Sequence, residues 1–298
     1  MADILTRAQL SLLAALLQTD PANLSSLERL GADDLKALRG ALSDALFDEQ
    51  AEAFARVSKL APLVPNALVV TVAHRAVPPE VAGRVGGAVG LAHGDRAIGV
   101  LSGLNPDYLA DAAPYVDPRV IPHFAPRLPA KLLIPAAKEL LRRRDYLTAS
   151  RFVEFATDEH IVAFEKAIDD DEGIILTGVL VSDTAIMNDI MRAAGPDRSQ
   201  RMARSAAAGT PEVLAALLSL LSRIDPELAK PAVTEMLGHP DIDVVIRVLD
   251  VAAAEGVVVE ALQISAVLDD AVLSRLTGLE AWHRLTREAE AWAHETPA

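Results

Sequence analysis

Between Gly195 and Asp250 a proline followed by an acid recurs four times, as Pro196-Asp197, Pro211-Glu212, Pro226-Glu227 and Pro240-Asp241, at steps of 15, 15 and 14 residues. Proline is tolerated in the first helical turn, where its missing N–H would be unpaired anyway. An acid just after it sits against the positive end of the helix dipole. Each pair therefore predicts the start of a new helix of about three turns, filled with Leu, Val, Ile, Met and Ala. Short helices in file, none able to bury its apolar face alone, predict a helical-repeat array. The expected fold is all-α, with stacked short helices forming a helical-repeat array of the armadillo or HEAT kind.

Composition supports this. The chain is 51% apolar but only 4% aromatic, so its core must be built from small aliphatic side chains that let helices approach closely. A formal charge of -14 repels phosphate backbones and anionic headgroups, which excludes nucleic acid as an expected partner and disfavours lipid surfaces. Without cysteine there are no disulfides, thiolate nucleophiles or Cys-ligated zinc. Met1-Ala2-Asp3-Ile4 lacks a basic n-region, the apolar run Leu10 to Leu17 is too short to span a bilayer, and Leu60 to Ala73 is broken by Pro62 and Pro65. A soluble cytoplasmic chain with no membrane insertion is expected.

Along the chain, residues 1–58 predict a helical segment, 59–255 the array and 256–298 capping helices, with one continuous domain as the alternative. Asp20-Pro21, Ser25 or Ser26, Ala32-Asp33-Asp34 and Asp48 all read as helix starts, and Gly31 as a stop. Asn66 to Ala73 passes for a buried strand by composition, yet Pro65-Asn66 opens it like its helical neighbours. Further helices are expected over Asp95–Leu104, then from Asn105-Pro106, Asp117-Pro118, Leu128-Pro129, Asp145, Thr157 and Asp183, with a kink or break at Pro135. Two-helix units would occupy roughly 25–30 residues, short for such repeats.

Gly83, Gly86, Gly87 and Gly90 lie within one segment opened by Pro79-Glu80. Each weakens a helix by about 1 kcal/mol relative to alanine, so something must compensate. The preferred explanation is a helix pressed against another helix; the alternative is a loosened wall beside a ligand cavity. The spacing is not a dinucleotide fingerprint.

The runs LNPDYLADAAPYVDPRVIPHFAPRL (104–128) and FATDEHIVAFEKAI (155–168), with the 195–250 series, resemble the cytoplasmic N-terminal domain of MgtE magnesium transporters. The armadillo-like domains of the flagellar switch protein FliG look similar. The resemblance covers about residues 95–250 and rests on helix punctuation. It implies a right-handed superhelix and, more remotely, magnesium sensing. No nucleotide-sensing or membrane domain is seen after residue 250, so a magnesium channel is not expected, and no sensing carboxylates map onto this chain.

Candidate chemistry is sparse. Seven histidines are scattered, no H-E-x-x-H occurs, and no metal site or cofactor is expected from local spacing. His123 and His160 read as packed, hydrogen-bonded residues of apolar helices, and His239 as a residue leading into a helix. Asp169-Asp170-Asp171-Glu172 reads as a solvated loop that caps the next helix rather than a calcium loop. No nucleophile elbow, phosphate loop or acid/base pair is present, so no catalytic residue is nominated. Tyr108, Tyr115, His123, Tyr146 and His160 are the candidates for a ligand pocket under residues 60–165. Arg142, Arg143 and Arg144 are candidates for an acidic partner. Trp282 and Trp292, on the last helix, suggest either a capping helix over the final repeat or a partner-binding and self-association helix.

Two functions follow. The first is a non-enzymatic scaffold binding a protein partner. The alternative is a small-molecule-binding accessory protein or unrecognised enzyme with a cavity formed by residues 60–165; divalent-ion sensing ranks below both.

Overall fold

The computed structural model describes residues 4–60 and 64–295; the side chains of Phe47, Ala88, Leu91 and Trp292, of residues 49–55 and 293–295, and of Val57, Ser58 and Leu60 lie outside the description. Among the described residues every regular element is helical, and no helix is long and apolar enough to cross a membrane. The chain divides into two compact units, residues 9–169 and residues 170–298 with 1–8. The sequence boundaries at 58/59 and 255/256 fall inside these units.

The unit of residues 9–169 holds most of α1 (Ile4–Leu16), then α2 (Gly31–Leu60), α3 (Asn66–Ala76), α4 (Pro79–Ala92), α5 (Gly94–Leu101) and α6 (Pro106–Ala112). It continues with α7 (Ile121–Phe124), α8 (Ala130–Arg142), α9 (Tyr146–Val153) and α10 (Asp158–Ala167). Several helices pack on the next but one, α2 on α4, α4 on α6, α6 on α8, α8 on α10 and α3 on α5, while α5 also packs on α4 and α9 on α8. This is the packing of a repeat array, in which a helix alone cannot cover its apolar face. Leu10, Leu13 and Leu35 form one core cluster with Leu24, Leu27, Leu38 and Leu42 around it, and Ala110, Leu140 and Ala149 form another.

The unit of residues 170–298 contains α11 (Asp171–Gly178), α12 (Thr184–Ala208), α13 (Pro211–Leu221), α14 (Pro226–Leu237), α15 (Ile242–Ala254), α16 (Val258–Ser265), α17 (Asp270–Thr277) and α18 (Glu280–Glu295). The alternate pairing continues, α11 on α13, α12 on α14, α13 on α15, α14 on α16 and α16 on α18. Helix α13 is apolar all round and buried from Val213 to Leu221, as a helix enclosed by neighbours must be.

The punctuation works where proline and a cap coincide. Thr210 caps α13 through Val213 N at 3.4 Å with Pro211 next, and Asn105 caps α6 through Tyr108 N at 2.7 Å with Pro106 next. Pro226 opens α14. Pro196 follows Gly195, whose φ of 72° breaks α12 into two helical stretches. Pro240 departs from the rule: Asp241 is the N-cap, holding Asp243 N at 3.0 Å, and α15 begins at Ile242.

Several other expectations are corrected. Asp48 opens nothing, because α2 runs unbroken from Gly31 to Leu60; an exposed acid in mid-helix costs little, and this one pairs with Arg119 at 2.6 Å. Pro21–Leu30 is a single 3-10 helix capped by Asp20, with no new start at Ser25 or Ser26. The helix expected over Asp95–Leu104 is Gly94–Leu101, and Asp117-Pro118 leads through a turn to α7 at Ile121. Pro135 neither breaks nor ends α8: the carbonyl that loses its donor belongs to Lys131, an exposed residue. The acidic run caps the next helix as expected, Asp170 accepting from Gly173 N at 2.9 Å, but it is not simply solvated, since Asp171 is held by Arg198 at 3.2 Å and Arg201 at 2.7 Å.

The glycines of α4 explain its close packing. A Cβ on Gly83 would collide with the Ala112 carbonyl oxygen and lie 2.9 Å from Tyr115 Cβ; one on Gly90 would lie 3.1 Å from the Phe124 ring. Gly87 meets Val120 at 3.6 Å, whereas Gly86 faces open space. Three of the four thus let α4 lie against the chain from α6 to α7.

Candidate functional site

The segment Asp241–Glu255 sorts its residues cleanly around α15. Val245, Val248, Leu249 and Ala252, at helical spacing, are fully buried. The opposite face carries Asp243, Arg247, Asp250 and Ala254, all exposed, and keeps two apolar side chains, Ile246 and Val251, partly exposed. That outer face and Pro211, the first residue of α13, line an open groove of about 430 Å³ that ends at Glu255.

Two contacts fix its walls. Arg247 Nη2 donates to the Gly209 carbonyl at 2.5 Å, tying α15 to the chain that leads into α13. Arg284 of α18 pairs with Asp250 at 2.6 Å, both about half exposed. Asp243 and Glu255 carry no ion pair among the described residues. The groove is an apolar strip bordered by three carboxylates and one arginine, the latter already engaged by a carbonyl. Its lining presents no nucleophile or proton relay.

The five residues nominated for a pocket go to different neighbours. Tyr108 is buried, donates its OH to Val77 O at 2.9 Å and stacks edge-on to His74 at 5.5 Å; desolvation pushes its phenol pKa up. Tyr115 lies against Gly83, and Tyr146 OH accepts from Arg144 Nε at 3.2 Å. His123 is exposed, a correction to its expected packing, since the short α7 turns its side chain outward. His160 is buried and fully used: Nδ1 accepts from Thr157 N at 3.3 Å, and Nε2 donates to Leu128 O at 2.7 Å. Those two bonds fix the neutral Nε2–H tautomer and make His160 a structural tie.

The partner candidates are similarly occupied. Arg142 and Arg143 both grip Glu139, at 2.5–2.7 Å, and hold its carboxyl down at about 2; Arg143 also reaches Asp111 and Asp107. Arg144 is exposed in the left-handed region, at φ 59°. Trp282 and Leu285 of α18 are both buried, which fits the capping role, while the side chain of Trp292 lies outside the described residues.

A pattern missed in the sequence joins successive repeats. Side chains late in one helical pair donate to carbonyls of the pair before: Arg151 to Pro114 and Val116 (both 2.7 Å), Arg223 to Val181 (2.7 Å) and Val179 (3.2 Å), Arg275 to His239 (2.6 Å). Burial lowers the Arg151 guanidinium to about 10, with repulsion from Arg39 adding, so it remains charged at neutral pH. No group of three or more metal-ligating side chains exists among the described residues. Compared with family models, with curated proteins and with solved structures, the chain matches none.

Proposed function

We propose that this chain is a non-enzymatic helical-repeat interaction protein whose α15 groove receives a protein partner. The observation that carries the reading is that groove itself: Ile246 and Val251 stay partly exposed beside Asp243, Arg247 and Asp250, on a helix that buries Val245, Val248 and Leu249. The arginine and histidine ties within each unit support a stiff platform, and a preorganised surface binds with less loss of conformational freedom.

Site-specific photocrosslinking in the source cells tests this. A photoreactive residue at Ala254, in the groove, is expected to give one defined protein adduct. The same residue at exposed Ser274 of α17 is expected to give none. Equal or absent adducts at both positions would reject the reading.

A further inference from the structure

We draw no further inference here: the strongest candidate, the exposed apolar patch that Leu68 and Val72 form on α3, is an unpartnered helix face, and nothing in the structure shows what covers it.

Discussion

A short helix leaves up to four carbonyls unpaired at its C-terminal end, and a chain of short helices has many such ends. Arginine, with five donors on a long stem, reaches them across a repeat; 22 of the 28 basic residues here are arginine, and Arg151, Arg223, Arg247 and Arg275 are used this way. His160 does the same for Leu128. His160→Ala leaves that carbonyl unpaired and opens the Thr157 capping box, so it is expected to destabilise the fold by about 2–3 kcal/mol. A urea-unfolding midpoint unchanged from wild type would contradict that role. Glu139 supplies a pH dependence. Hydrogen bonds from Arg142 first, then Arg143, lower its pKa from 4.5 to about 2. A carboxyl whose folded value is depressed supports the fold above 4.5, and that support is lost as pH falls from 4.5 through about 2. Urea midpoints for wild type are therefore expected to fall more steeply across that window than those for Glu139→Gln; parallel curves would contradict the assignment.

At the level of the helix, α4 separates two roles for one residue type. Gly83→Ala gains about 1 kcal/mol of helix propensity but drives a methyl group into the Ala112 carbonyl, so a net loss of about 1–3 kcal/mol is expected. Gly86→Ala meets nothing and is expected to stabilise by about 1 kcal/mol. Thermal unfolding reads both; shifts of the same sign would contradict the packing. Helix starts were the legible part of the sequence because caps and prolines act locally: Thr157, Asp145, Asp183 and Asn105 all cap as their neighbours suggest. Asp48 misled because an acid alone does not start a helix without a break before it. Pro240 misled by one turn position because Asp241 took the cap. The groove was not legible, since nothing in IDVVIRVLDVAAAE says that Ile246 and Val251 would remain uncovered until α13 and α18 are packed beside α15.

For the whole molecule, each unit follows the same rule, helices stacked two by two and tied through carbonyls and ion pairs, with an acidic exterior. Ties such as Lys230 to Asp269 and Arg143 to Asp107 span 39 and 36 residues, so each repeat depends on the next for part of its polar satisfaction. Repetition of this kind makes a firm surface from weak parts, and the function proposed above places binding on the helix face left open. The most direct test of the account is hydrogen–deuterium exchange of the full chain with and without the partner captured at Ala254. The account predicts slowed exchange over 242–255 and at the start of α13, with α11 unchanged. Protection confined to other helices, or none at saturating partner, would contradict it.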